Sequence, residues 1–271
     1  MTPIRRGRCA QLTVAALEHG VRMLPLTPPR LARLLYRFNT VPMSARWRAR
    51  FGAPNAVGEH LGTAEIGRAH LFGEQGWTAL HAGESPDGPW LGWNRHALLA
   101  SPRGSGVIYK LYVSPEVSAV RDAFQLTARC VLESDAVAIK VGTGVRGMLR
   151  PDKLVAYFVS QRELLDVASA LRRRLSGIAA QGVPFTAPLT DDALLSCAVD
   201  PIPSRAGAVV RRESWRQRVT VRLAAALGAA AEHHDSPESI AHAALATLSR
   251  DGVDLLDTSG ARALTRFAST L

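Results

Sequence analysis

The chain has 271 residues and a formal net charge of +10, from 33 lysines and arginines against 23 aspartates and glutamates. Hydrophobic residues make up 47% and charged residues 21%, which are the values of an ordinary globular protein. This composition excludes a mostly disordered chain, a collagen-like fibre and a disulfide scaffold. The length predicts one large domain or two small ones.

Helical spacing and proline breaks predict several helices in residues 1 to about 75, and a Gly- and Pro-rich stretch at 83–92 predicts a loop. Alternating apolar residues then predict strands, with helices between them and after them. The predicted strands are 107–114, 136–141, 153–159 and 193–199, and the predicted helices are 115–132, 161–175, 215–231, 236–248 and 259–267. We therefore predict an α+β fold with a central mixed β-sheet, flanking helices and helical N- and C-terminal segments.

Three parts follow from this layout. They are a helical N-terminal segment at 1–85, an α+β core domain at 86–227, and C-terminal helices at 228–271 that pack on the core. Cys9, Cys130 and Cys197 are far apart and odd in number, so they indicate no disulfide framework and a reducing compartment. We expect a cytoplasmic protein, because no signal peptide and no apolar run of about 18 residues is present.

A stripe of basic residues runs through the N-terminal third of a chain whose basic residues are almost all arginines. The stripe consists of Arg22, Arg30, Arg33, Arg37, Arg46, Arg48 and Arg50. Such a stripe is typical of a solvated helix face, and the alternative is contact with an anionic partner. Aromatic residues are only 6% and no nucleic-acid-binding motif occurs, which argues against nucleic acid as the partner.

The three lysines, Lys110, Lys140 and Lys153, all lie in the middle of the chain. A lysine can lose its proton near neutral pH when its pKa is lowered, whereas an arginine cannot. In a protein that uses arginine almost everywhere, retained lysines therefore suggest a chemical role. The alternative is that three lysines cluster by chance.

Gly142, Gly144 and Gly147 form a G-x-G-x-x-G pattern directly after a predicted strand. A dinucleotide-binding unit needs a full helix next, but Pro151 and another predicted strand follow within a few residues. We therefore expect no dinucleotide site. The glycines could still form a backbone nest for a phosphate.

The stretch from Lys140 to Lys153 carries the densest chemical signal in the sequence. It contains Lys140, Arg146, Arg150, Asp152 and Lys153. If the strands pair, alternation could place the three lysines on one side of the sheet. Clustered cations form an anion site, for which phosphate is the obvious ligand, and their mutual repulsion would lower a lysine pKa. The alternative is an exposed basic sheet edge that blocks aggregation.

The middle of the chain, Gly88 to Leu227, resembles the HopA-type family. This family is known as bacterial type III effectors and also occurs beside phosphotransferases in actinobacterial clusters for class V lanthipeptides and thioamitides. The order and spacing of short segments carry the resemblance. These segments are Trp90–Trp93, Tyr109–Pro115, Ala138–Val141, Arg150–Tyr157, Val183–Thr186, Asp200-Pro201 and Ser214–Arg218. Ile139, Val199 and Trp215-Arg216 depart from the family pattern.

The resemblance implies a phosphoserine or phosphothreonine lyase that removes phosphate from a ribosomally made precursor peptide, after a separate peptide kinase has added it. Lys140 would be the base, and Arg150 and Lys153 would hold the phosphate, with Lys110 and Arg146 as further substrate-binding cations. His96 would be an acid, and Asp152 would orient Arg150 or Lys153. No metal or cofactor is expected. Two alternatives stay open: a non-catalytic phosphopeptide-binding partner of the kinase, and a protein that binds nucleic acid or another acidic surface.

Overall fold

The computed structural model describes residues 7–63, 76–80, 90–95, 107–200, 214–253 and 255. Within these ranges residues 7–63 are mainly helical, as predicted, whereas Thr78–Leu80 form a strand inside the segment 1–85 that was predicted to be helical. Its helices are α1 Arg8–Arg22, α2 Pro28–Tyr36, α3 Ala45–Phe51 and α4 Ala56–Leu61. Pro28 and Pro29 occupy the first helical positions of α2, where the missing proline N–H has no intrahelical partner to lose. The predicted last helix at 259–267 lies outside the described residues.

The middle of the chain forms a seven-stranded sheet with intervening helices. Its strands are β1 Thr78–Leu80, β2 Trp90–Asn94, β3 Ile108–Val113, β4 Ala138–Gly142, β5 Leu154–Phe158, β6 Ala187–Pro188 and β7 Leu195–Asp200. The further helices are α5 Val120–Leu132, α6 Gly144–Leu149, α7 Gln161–Arg174, α8 Trp215–Ala231 and α9 Pro237–Arg250, with a 3₁₀ turn at Val117–Ala119 before α5. The α+β class predicted from the sequence is confirmed.

The strand order is β1-β2-β4-β5-β3-β7-β6, and every pairing among the described strands is antiparallel. A mixed sheet was expected because helices connect successive strands. The helical connection from β3 to β4 does join two parallel strands, but β5 lies between them. In the same way β3 lies between β5 and β7. Four central strands and two helices thus form a split β-α-β arrangement.

Each face of the sheet is covered by its own set of helices. Helices α5 and α7 pack on the face that carries Leu111, Ile139 and Phe158. Helices α1, α2, α8 and α9 share a second core with Tyr112, Val155 and Ala198 on the opposite face. Because side chains alternate along a strand, a residue that is in register with Val155 or Tyr157 belongs to this second face.

The glycine pattern after β4 has a structural cause. Gly142 and Gly147 approach so closely that a Cβ on Gly147 would lie 2.8 Å from the carbonyl carbon of Gly142, and Gly144 has a positive φ of 63°. A six-residue helix, α6, occupies the segment that was predicted to have no room for a full helix. It is too short for a dinucleotide-binding unit, which agrees with the sequence expectation.

Substituting Gly147 by alanine should lower the free energy of unfolding by about 1–3 kcal/mol, because its Cβ overlaps backbone atoms that cannot move aside. Gly228→Ala is the matched control. Gly228 lies inside α8 with open space around it, so alanine there should stabilise the protein by about 0.5–1 kcal/mol. Guanidinium chloride unfolding measures both changes, and equal effects of the two substitutions would contradict the close glycine contact.

Candidate functional site

Two of the three lysines lie on the second face of the sheet, beneath helices α2 and α8. Lys140 is in register with Val155, and Lys110 is in register with Tyr157 and Ala198. The expectation that these strands pair with both lysines on one side is therefore met for Lys110 and Lys140.

The ammonium group of Lys140 lies against aromatic rings. Its Nζ is 4.1 Å from the ring centroid of Trp90 and 5.4 Å from that of Tyr157. Among the described residues, no carboxylate lies within ion-pair distance of this ammonium. Aromatic faces attract a cation but do not neutralise it, so Lys140 keeps an unpaired positive charge.

Burial is the main cause that lowers the pKa of Lys140 to about 8, and the positive charges of Lys110 and Arg150 act in the same direction. The carboxylates of Asp152 and Asp200 act in the opposite direction but do not restore the ordinary value. At pH 7 this lysine therefore carries a proton most of the time and can release it slightly above neutral pH.

Lys110 is a paired cation. Its Nζ lies 2.6 Å from Oδ2 of Asp200 at the end of β7, and 5.4 Å from the ring centroid of Tyr157. Tyr157 thus lies between the ammonium groups of Lys110 and Lys140. Burial is also the main cause that holds the pKa of the Tyr157 hydroxyl well above its ordinary value, so this group stays protonated as a hydrogen-bond donor.

Asp152 holds two arginines. Arg150 donates from Nε to Oδ1 at 2.8 Å and from Nη2 to Oδ2 at 2.9 Å, and Nη1 of Arg216 lies 2.7 Å from Oδ2. Burial alone would raise the pKa of Asp152, but Arg216 and Arg150 outweigh it and hold that pKa well below the ordinary value. The carboxylate therefore stays charged across the physiological range.

Arg216 and Tyr36 complete the site, and the sequence reasoning assigned a role to neither. Nη2 of Arg216 donates to the Tyr36 carbonyl at 2.7 Å, and Nη2 of Arg150 donates to the Tyr36 hydroxyl at 3.0 Å. Both guanidinium groups lie over the Tyr36 ring, at 4.7 and 5.3 Å from its centroid. One signal was available for Arg216, because it occupies the same stripe of α8 as buried Val219, Thr220 and Leu223. No comparable pattern marks Tyr36.

Lys153 lies apart from this cluster. It is fully buried, and its Nζ donates to the Pro115 carbonyl at 2.7 Å and to Oε1 of Gln181 at 2.5 Å. Burial lowers the pKa of Lys153 to about 7, and its charged neighbours are Asp152 and Glu116 rather than the other lysines.

The two remaining predicted site residues are not brought to the cluster by the described contacts. Arg146 is exposed on α6 and has no ion-pair partner among the described residues. His96 lies outside the described residues. In the part of the chain that is described, no three His, Cys, Asp or Glu side chains come together as a metal site requires. None of the described helices is long and apolar enough to cross a membrane.

The fold is shared with two effector proteins of Pseudomonas syringae, both of the HopA type. The effector from pv. tomato strain DC3000 is 14% identical over 93% of this chain and 98% of that chain, with a TM-score of 0.56. The effector from pv. syringae strain 61 is 14% identical over 92% and 97% of the two chains, with a TM-score of 0.51. At this identity the similarity establishes the fold.

Phosphothreonine lyases are more distant. The type III effector and phosphothreonine lyase OspF from Shigella flexneri is 20% identical over 45% of this chain and 69% of that chain, with a TM-score of 0.34. A TM-score below 0.5 adds no support for a shared function. No protein-family model matches the sequence, and no curated protein matches it significantly.

Replacing Asp152 by asparagine should destabilise the protein by about 3–5 kcal/mol at pH 7, because Arg150 and Arg216 would remain buried without their counter-ion. Asp166→Asn is the matched control, since Asp166 pairs with Arg162 at an exposed position of α7 and should cost at most about 0.5 kcal/mol. Urea unfolding measures both values.

The pH dependence of this difference has a defined sign. The pKa of Asp152 is lower in the folded than in the unfolded state, so its contribution is present above about pH 4 and is lost as the pH falls further. The unfolding free energies of wild type and Asp152→Asn should therefore converge in acid. A difference that stays constant from pH 7 to strongly acidic pH would contradict the buried ion cluster.

Proposed function

We propose that this protein eliminates phosphate from phosphoserine or phosphothreonine residues of a ribosomally made precursor peptide. One observation carries the proposal: Lys140 and its neighbours form a site with an excess of positive charge. Among the described residues, the cations of this site are Lys110, Lys140, Arg150 and Arg216, and the carboxylates that pair with them are Asp152 and Asp200. Lys140 has no carboxylate partner among these residues, so its positive charge is available to a phosphate monoester, which carries about −1.5 to −2 near pH 7.

Trp90 lies close to both Lys140 and Arg150, which suggests that these two cations can contact the same anion. The same indole lies 4.1 Å from Nζ of Lys140 and 5.0 Å from the guanidinium carbon of Arg150. Asp152 fixes the plane of the Arg150 guanidinium through two parallel hydrogen bonds, which prepares it for a phosphate. We infer that the phosphate binds between Arg150 and Lys140, beside this indole.

In the proposed reaction, neutral Lys140 takes the Cα proton of the phosphorylated residue. The electron pair of the Cα–H bond forms the Cα–Cβ double bond, and the Cβ–O bond breaks. Phosphate leaves with the electron pair of the Cβ–O bond. Lys140 is then an ammonium beside the departing phosphate. Negative charge develops on the peptide carbonyl during proton removal, and we propose that Lys110 and Tyr157, which lie beside Lys140, stabilise it.

Three further residues have proposed roles. Lys153 donates to Pro115 and Gln181, and we propose that it fixes the segment that precedes β5 instead of holding the phosphate as the resemblance implied. Arg146 remains a proposed peripheral phosphate ligand, and His96 remains a proposed acid. The substrate would require a peptide kinase as the preceding enzyme, because an unphosphorylated hydroxyl is a poor leaving group.

Lys140→Arg should separate catalysis from binding. Arginine keeps the positive charge but cannot release a proton near neutral pH, so the variant should bind a phosphothreonine peptide and release no phosphate. Lys140→Met should lose about tenfold or more in binding as well. Mass spectrometry detects loss of phosphoric acid from the peptide, and fluorescence anisotropy gives the affinity.

A non-catalytic phosphopeptide-binding role is the second candidate, favoured by the fact that Lys140 is mostly protonated at pH 7. It predicts tight binding and no phosphate release by the wild type as well as by Lys140→Arg. Wild type that neither binds nor modifies phosphopeptides would contradict both candidates.

The pH profile gives an independent check on Lys140. The base must be unprotonated in the free enzyme, so kcat/KM should rise with pH and level off above about pH 8. Lys110→Met removes a positive charge that lowers the pKa of Lys140. It also leaves Asp200 unpaired, and the Asp200 carboxylate raises the pKa of Lys140, so the midpoint of the kcat/KM profile should move to higher pH. A midpoint that stays in place or moves to lower pH would contradict Lys140 as the base.

A further inference from the structure

A groove of about 490 Å³ lies on the outer side of the N-terminal helices, at the end of α1 and along α2. It is lined by basic and apolar side chains, and none of its lining residues is acidic. The side chains used below are His19, Arg30, Arg33, Leu34, Arg37 and Phe38.

Three arginines dominate the groove. Arg30, Arg33 and Arg37 are spaced by three and four residues, so they share one face of α2 and its C-terminal turn. All three are exposed, and none has a side-chain hydrogen bond or ion pair with another described residue. Three neighbouring unpaired guanidinium groups repel one another, and an anionic ligand would relieve that repulsion.

The arginines of α3 differ in this respect. Arg46 lies over the ring of Trp47, Arg50 lies over that of Phe51, and Nε of Arg48 donates to the sulfur of Met43. Apart from Arg22 on α1, the basic stripe of the sequence therefore divides into two sets. The α3 arginines are held against their own helix or the residues just before it, and the arginines of α2 and its C-terminal turn line a groove. Only the α2 set combines a concave surface with unpaired charge.

We propose that this groove binds an acidic segment of a peptide, distant in sequence from the phosphorylated residue. Leu34 and Phe38 contribute apolar surface between the arginines, and Phe38 contacts His19 with ring centroids 5.6 Å apart. The arginines of the groove can pair with carboxylates, and its apolar side chains can contact apolar residues. A peptide with glutamate or aspartate among apolar residues offers both. A nucleic acid would offer phosphates but no apolar side chains for Leu34 and Phe38.

The groove and the cationic site are connected through one helix. Tyr36, which binds Arg150 and Arg216, lies between Arg33 and Arg37 in the sequence. One peptide could therefore occupy both places, with its acidic segment in the groove and its phosphorylated residue at Lys140. This step rests on the proposed function, whereas binding of an acidic peptide by the groove does not.

The test uses a short fluorescein-labelled peptide of glutamates and leucines that carries no phosphate, with the full-length protein. Arg30→Glu, Arg33→Glu and Arg37→Glu together should weaken binding about tenfold or more, because attraction becomes repulsion at three positions. The matched control reverses Arg172 and Arg173, which are exposed on α7 away from the groove, and should change affinity by at most about twofold. Circular dichroism confirms that each variant is folded, and the corresponding glutamine triple variant should fall between wild type and the glutamate variant.

The proposal would be overturned if the wild type and the glutamate variant bound the peptide equally well. It would also be overturned if the wild type bound a peptide with glutamine in place of glutamate as tightly as the acidic peptide. The proposal would also be overturned if single-stranded DNA of the same charge bound more tightly than the acidic peptide and the glutamate variant lost that binding. The groove would then be a nucleic-acid surface. If the wild type binds the acidic peptide but releases no phosphate from a phosphopeptide, the proposed function is contradicted and the groove proposal is not. If it releases phosphate but does not bind the acidic peptide, the groove proposal is contradicted and the proposed function is not.

Discussion

The buried carboxylate of Asp152 is the contact on which the arrangement of the site depends. It pairs with Arg150 and Arg216, while Arg216 also binds the carbonyl of Tyr36. Helix α2, helix α8 and the segment before β5 are thereby joined at one point, although they are far apart in the sequence. Two guanidinium groups could not lie this close in a buried position without the intervening negative charge. The position of Arg150 beside Trp90 follows from this pairing.

Paired and unpaired cations have different consequences on the same sheet face. Lys110, Arg150 and Arg216 have carboxylate partners that fix their positions. Lys140 has aromatic neighbours instead, so the cost of its burial appears as a lowered pKa. Because the paired cations hold their positions around the amine of Lys140, the site can bind an anion without rearranging. The same amine can exchange a proton near neutral pH.

The sequence contained enough information for the class of fold and for the shared face of Lys110 and Lys140, because alternation along strands has a period of two. It did not reveal the antiparallel order, since the insertion of β5 between β3 and β4 depends on long-range pairing. Helix α6 is too short to show a helical period. Lys153 lies just before β5, where alternation no longer determines the direction of a side chain, and it turns to Pro115 and Gln181. Tyr36 and Arg216 reach the site through helix docking; the apolar stripe of α8 indicates that Arg216 is buried, but no local pattern shows which partner it meets.

The distribution of lysines has a practical consequence for chemical labelling. The chain has three lysines; Lys110 and Lys153 are buried, and Lys140 is only partly accessible. Reagents that acylate amines therefore find no fully exposed lysine, in contrast to most proteins of this size. Since only a deprotonated amine is acylated, and Lys153 is enclosed, Lys140 is the side-chain amine best placed to react. Its rate of modification, followed by peptide mapping with and without added phosphate, is a direct reporter of whether the cationic pocket is occupied.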